Sequence, residues 1–457
     1  MQRRLILCIS CLMLISLGAL LLGCGSSTTT TAPTGPLTHL VDIGMPTPYV
    51  LGTTATYAWD IAAISGSKFY LTDRTNKVLD VVAIPTSASG FSTTTAPSFI
   101  LPGAFTGCQG GSNTAPYPVP SCASATTNND LSGPDGLNVV GSLLYVGDVD
   151  RVKIVDPSVP AIKQTIDITP GPPIQTPAGL TGFRADEGCY DPDDNLFMIN
   201  TPGLAFSSII TTNTTTPKVA AYINYADTAA AGNGLEACAY DHATRSFYNN
   251  NDGSSINPHG EVDVITAADI LAISGFGGVP PPVVDYSTFA HLKRFPEGLC
   301  DPTGLALGNG NDLGVNCLEG TTGQPLLFYV FDKTAATGTG PVATLNAGGG
   351  DQVWYDPTNK AFYNVAGHWT ATGKAATNGA CSATSPCTPV LFVISSAGAN
   401  SAITNTGGTP IGNGAHSIAV DPTTGLAFIP FSAASSSCTT CSTNGFAGPG
   451  TSVFTTR

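Results

Sequence analysis

Near its C-terminus the chain reads HSIAVDPTTGLAFIPF (416–431). A short apolar run reaches Asp421-Pro422, polar residues follow, and a second apolar run leaves at Leu426. Such a pair of runs across a tight turn is a β-hairpin signal. The turn has a mechanism: Asp accepts from nearby backbone N–H groups, and Pro presets φ for the next position of a type I turn. The same order recurs in DQVWYDPTNKAFYNV (351–365), EACAYDHATRSFYNN (236–250) and DEGCYDPDDNLFMIN (186–200). EGLCDPTG (297–304) opens the same way ahead of GVNC (314–317). DIAAISGSKFYLTDRTNKVLDVV (60–82) and DGLNVVGSLLYVGDVDRVKIVDP (135–157) are divergent copies.

Seven hairpins therefore begin near residues 60, 135, 186, 236, 297, 351 and 416. Third strands are expected at Val78–Ile84, Val152–Val155, Val262–Ile265, Leu326–Phe331, Val390–Ile394 and Ser452–Phe454. Repeating units of three or four strands fit an all-β propeller of seven four-stranded blades, with six or eight as alternatives. A β-sandwich array or a parallel β-helix is the runner-up fold. The last unit runs out of chain before a fourth strand, so His39–Ile43 is expected to supply it and leave no free sheet edge.

Composition agrees. Of 457 residues, 42 % are hydrophobic and only 11 % charged, and 52 Gly and 35 Pro make up about a fifth of the chain. That apolar content excludes a disordered chain. The net charge of −14 leaves no basic stripe for nucleic acid.

The N-terminus supplies an address. Arg3 and Arg4 precede an apolar run from Leu5 to Leu22, as in an export signal. Leu21-Leu22-Gly23-Cys24 resembles the lipobox of bacterial lipoproteins, which implies a signal peptide over 1–23, lipidation of Cys24, and a membrane partner through that lipid. A tether follows to residue 38, and the propeller domain is expected over 39–457. Gly25, rather than Asp, after the lipidated Cys implies outer-membrane sorting. Ten Cys then remain in an exported chain, an even number that favours disulfides. The sequence-local pairing is Cys108–Cys122, Cys300–Cys317, Cys381–Cys387 and Cys438–Cys441, with Cys189–Cys238 left over. Sequence alone does not fix the connectivity.

The repeat wording, AVDPTTGLAFIP and SKFYLTDRTNKVLDV, resembles the YVTN and NHL groups of β-propellers. The likeness extends over most of residues 40–457. It implies a scaffold whose members include binding modules, adhesive surface proteins and some enzymes.

In a propeller the starts of first strands surround the central channel. Those positions hold Asp60, Asp135, Asp186/Glu187, Glu236, Glu297, Asp351 and His416, and the neighbouring ends of second strands hold Asp73, Asp148, Asn200, Asn249, Asn316 and Asn364. Converging carboxylates repel unless a cation or backbone donors compensate. One reading makes Asp60, Asp135, Glu187, Glu236, Glu297 and Asp351 ligands of Ca²⁺ or Mg²⁺, with Asn200, Asn249, Asn364 and His416 as ligand-binding partners. The other has each carboxylate bonded to backbone N–H groups, locking the blades together. The ring is also similar to that of metal-dependent lactonases of the gluconolactonase group, which implies Glu187, Glu236, Glu297, Asn200, Asn249 and Asp351 as holders of a cation that polarises a carbonyl. No nucleophile elbow, HExxH or P-loop is present. The expected role is an envelope binding module for a protein, glycan or small molecule, with a cation-dependent hydrolase as alternative. His291-Leu-Lys293-Arg294 reads as a solvated basic loop, and Trp59 and Trp354 as core.

Overall fold

In the computed structural model the described residues are 37–44, 58–87, 90–91, 97–107, 131–172, 174, 182–225, 234–318, 325–370, 372–374, 387–396, 398, 403, 405–432 and 449–456. The expected signal peptide over 1–23, Cys24, and Cys108, Cys122, Cys381, Cys438 and Cys441 lie outside them.

The described strands form seven sheets. Blade 1 comprises Trp59–Ser65, Lys68–Asp73, Val78–Ala83 and Ser98–Ile100; blade 2 comprises Leu137–Val140, Leu143–Asp148, Arg151–Asp156 and Ala161–Asp167. Blade 3 runs Gly188–Asp191, Leu196–Thr201, Phe206–Thr211 and Lys218–Asn224, with Val283–Asp285 added in parallel at its edge. Blade 4 is Leu235–Asp241, Ser246–Asn251, Glu261–Thr266 and Lys293–Pro296; blade 5 is Pro302–Leu307, Asp312–Cys317, Leu327–Asp332 and Ala343–Asn346. Blade 6 is Val353–Asp356, Ala361–Ala366, Val390–Ser395 and Asn405–Pro410. Blade 7 takes Ala419–Asp421, Leu426–Phe431 and Gly450–Thr455, and its fourth strand is the N-terminal Thr38–Gly44, paired antiparallel from Thr38↔Thr455 to Gly44↔Gly450. The chain is a seven-bladed β-propeller closed by its own N-terminal strand.

The hairpin turns form as the residue types dictate. Asp356 Oδ1 accepts from Thr358 N at 2.8 Å, Asp421 Oδ1 from Thr423 N at 3.0 Å, and Asp191 Oδ1 from Asp193 N at 2.8 Å. In blades 3, 4, 6 and 7 the residue before the second strand has positive φ: Asn195, Arg245, Lys360 and Gly425.

The second and third strands of most blades bury both faces, because each sheet is sandwiched between two others. Leu196 and Met198 point to blade 4, while Phe197 and Ile199 point to blade 2. Seven apolar clusters result, one at each blade interface. The cluster between blades 7 and 1, with Val41, Ile43 and Phe428 against Phe69 and Leu71, closes the ring. Leu37 is buried between blades 6 and 7, and its N–H donates to Thr409 Oγ1 at 2.9 Å.

Two disulfides brace the ring. Cys189–Cys238 joins the first strands of blades 3 and 4, and Cys300–Cys317 ties the start of blade 5 to the end of its second strand. Cys387 is also disulfide-bonded. Among the described residues no helix is long and apolar enough to cross a membrane.

Candidate functional site

First strands approach one another closely at the channel. A Cβ on Gly136 would lie 1.5 Å from the Asp186 carbonyl oxygen, and one on Gly304 1.9 Å from that of Asp351. Only glycine permits this backbone contact, which brings the residues beside it into one charged group.

Six of the expected carboxyls interact there: Asp60, Asp135, Asp186, Glu187, Glu236 and Asp351. Buried Arg74 and half-buried Arg184 answer them. Arg74, just past the second strand of blade 1, ion-pairs with Asp60 through Nη2 and with Asp135 through Nε. Arg184, leading into blade 3, places Nη2 3.0 Å from Asp186 Oδ2 and Nη1 3.9 Å from Asp60 Oδ2. His416 stacks in parallel on Trp59 at 3.9 Å and turns Nε2 toward Asp60 Oδ1 at 3.6 Å.

The charges do not balance, since six carboxyls face two guanidiniums and one imidazole. Burial pushes Asp60 up, but Arg74, the His416 hydrogen bond and Arg184 outweigh it and hold this carboxyl below the usual range. Burial raises the rest. Asp186 reaches about 7 despite Arg184. Asp135 goes well above the carboxylate range against the pull of Arg74. Glu187 and Glu236 rise well above it too, through burial first and neighbouring carboxylates second. Burial likewise raises Asp351. Burial alone would lower His416, but Asp60 and Asp351 reverse the shift and raise it.

A cavity of about 240 Å³ opens on this group, lined by Arg184, Glu236, Asp351, His368 and His416 with Thr303 and backbone from the Gly349 and Gly367 turns. Burial holds His368 down at about 4, and its buried Nδ1 has no hydrogen-bond partner among the described residues.

The other expected positions serve elsewhere. Glu297 stands apart because strand one of blade 5 starts at Pro302, so Asp301-Pro302 opens that strand instead of turning its hairpin. Glu297 is 2 % exposed, its charged neighbours are Asp252, Glu261 and Asp263, and burial raises it well above the carboxylate range. Thr303 takes the channel place in that blade, donating to the Gly350 carbonyl at 3.0 Å. The asparagines bond between blades: Asn200 Nδ2 donates to the Glu236 carbonyl and to Asn249 Oδ1, and Asn364 Nδ2 to Asn316 Oδ1 at 2.9 Å and the Ala347 carbonyl at 2.7 Å. Arg294, expected in a solvated loop, lies in the fourth strand of blade 4 with Nε 3.4 Å from Glu261 and 3.7 Å from Asp263. Trp59 is buried as expected.

Sequence reading missed Arg74 and Arg184, as well as Thr303 and His368 in the cavity wall; the two arginines carry the charge. Their one available signal is scarcity: only 17 basic residues occur in the chain, and these two directly adjoin a second-strand end and the Asp186/Glu187 start.

No protein-family model and no curated protein matches the chain. Solved structures do. The RRP9 WD40 repeats align with TM-score 0.52 at 8 % identity, covering 93 % of this chain and 99 % of that one. U3-55K gives 0.51 at 8 % identity over the same shares. Hydrazine synthase of Kuenenia stuttgartiensis gives 0.51 at 15 % identity, over 83 % of this chain and 95 % of that one. At such identities the likeness is one of fold alone.

Proposed function

We propose that the chain is an exported, lipid-anchored binding module of the cell envelope that takes a small polar ligand in its channel cavity. The observation carrying this reading is the 240 Å³ cavity with Arg184, Glu236, Asp351, His368 and His416 in its wall. Its volume falls below the roughly 300–1,000 Å³ of drug-sized pockets, so the ligand is small. Its wall sets the charged and polar groups of Arg184, Glu236, Asp351 and the two histidines among apolar surface, so hydrogen bonds and charge orient the ligand. The closed ring supports it, since a binding wall gains from residues fixed on rigid strands. Arg3, Arg4 and the run ending at Cys24 support export and lipidation, and Gly25 supports the outer membrane. A protein or glycan partner would instead use the loops between strands.

A thermal-shift screen of small polar compounds against the full chain in detergent tests the ligand. Stabilisation that is lost in Glu236→Gln is expected; no stabilising compound, or one equally effective on the variant, overturns the reading. Palmitate labelling that disappears in Cys24→Ala tests the anchor. A second reading, cation-dependent hydrolysis of lactones or esters at the same mouth, draws on the imidazole and carboxyls beside the cavity and is tested by turnover of those substrates.

A further inference from the structure

His416 is fixed from behind. Its Nδ1 lies 2.9 Å from the Gly414 carbonyl oxygen, which can only accept, so Nδ1 carries the proton. In the neutral ring Nε2 then keeps its lone pair. That nitrogen faces Asp60 Oδ1 at 3.6 Å, and an oxygen of Asp351 joins them, the three donor atoms all lying within 4.8 Å of one another. Trp59, stacked at 3.9 Å and 3°, sets the plane of the imidazole. Arg74 and Arg184 hold the other Asp60 oxygen. Outer partners that orient an imidazole through its far nitrogen and a carboxylate through its far oxygen are what a metal centre requires. An independent observation points the same way: His368 lines the same cavity, its buried Nδ1 without a hydrogen-bond partner among the described residues.

We propose that Asp60, Asp351 and His416 hold a divalent transition-metal ion in the channel wall, with its open coordination positions facing the cavity. The inference rests on the reading of that cavity as the ligand site and names what anchors the ligand there. One imidazole with two carboxylates suits ions such as zinc, manganese or iron. Calcium prefers six to eight oxygens and magnesium keeps several waters, so these two become the comparison ions.

The test strips the full chain, in detergent, with EDTA and titrates it calorimetrically with Zn²⁺, Mn²⁺, Ca²⁺ or Mg²⁺ alone. One ion per chain is expected, with Zn²⁺ or Mn²⁺ bound at least about tenfold more tightly than Ca²⁺ or Mg²⁺. Loss of an outer partner costs about 10–100-fold in affinity, so His416→Ala and Asp351→Asn, which remove ligands, should each cost at least about 100-fold. X-ray absorption on the loaded wild-type chain needs no variant. It should show nitrogen and oxygen at about 2.0–2.2 Å, with the multiple scattering of one imidazole. The proposal falls if no stoichiometric ion binds, if Ca²⁺ binds as tightly, if folded variants titrate like wild type, or if the spectrum lacks imidazole. Ligand binding by a chain that takes up no metal overturns the metal and leaves the binding module. Metal uptake with no ligand from the screen overturns the module and leaves the metal.

Discussion

Arg74→Met removes the cation joining blades 1 and 2 while keeping an unbranched side chain of similar length. Arg74, Asp60 and Asp135 are 6 %, 4 % and 0 % exposed, so solvent screens this triad little. Removing one partner of a buried pair costs about 3–5 kcal/mol, because the remaining charge is left uncompensated. Arg184 remains 3.9 Å from Asp60 and relieves part of that, which places the loss near the lower figure, about 3 kcal/mol at pH 8. The loss should shrink in acid. Burial raises Asp135 and would raise Asp60 if Arg74 did not outweigh it, so without Arg74 both carboxyls regain neutrality more readily by taking protons. Urea unfolding at pH 8 and pH 5, followed by tryptophan fluorescence, reads both effects. A variant as stable as wild type at pH 8, or one whose deficit grows at pH 5, would refute the reasoning.

Wild-type stability should itself favour mild acid. Burial pushes Asp73, Asp186 and Asp252 each up to about 7 from the ordinary 3.8, so the folded chain keeps these protons longer than the unfolded one. The stability they give below about pH 4 is lost as pH climbs through 7; the melting temperature should be higher at pH 5 than at pH 8, and the opposite order contradicts the shifts. Lys360 holds φ at +50°, where an L-residue is strained by about 1–2 kcal/mol; Lys360→Gly should raise stability in urea by about 0.5–1 kcal/mol after glycine's own entropy cost, and a loss would show that its side chain matters more. Cys189 and Cys238 are 49 residues apart, for which chain entropy assigns the cross-link about 4 kcal/mol; the double Ala variant should lose a large part of that in non-reducing urea titrations, and no loss would locate the brace elsewhere.

The hairpins were legible because each couples a local device to an apolar rhythm: the Asp of the turn satisfies backbone N–H groups, and the runs on either side are buried on both faces. The closing strand was legible from the missing fourth strand of the last blade. Fourth strands such as Ala161–Asp167 and Ala343–Asn346 were not, because they lie at the outer edge, half exposed, and their residues alternate weakly. Blade 5 misled because Asp301-Pro302 has the wording of a turn but opens its strand. Acidic channel residues could be read from their recurrence. Arg74 and Arg184 recur nowhere, since each serves a single junction, and their partners come from three blades that only the closed ring brings together.

Crystals of the full chain soaked in Mn²⁺ or Zn²⁺ and measured at the metal's absorption edge put the central claim to its most direct test. An anomalous peak is expected in the channel wall, within about 2.0–2.2 Å of His416 Nε2 and of one oxygen each from Asp60 and Asp351. A map with no such peak, and with the His416 ring bonded directly to Asp60, would contradict it.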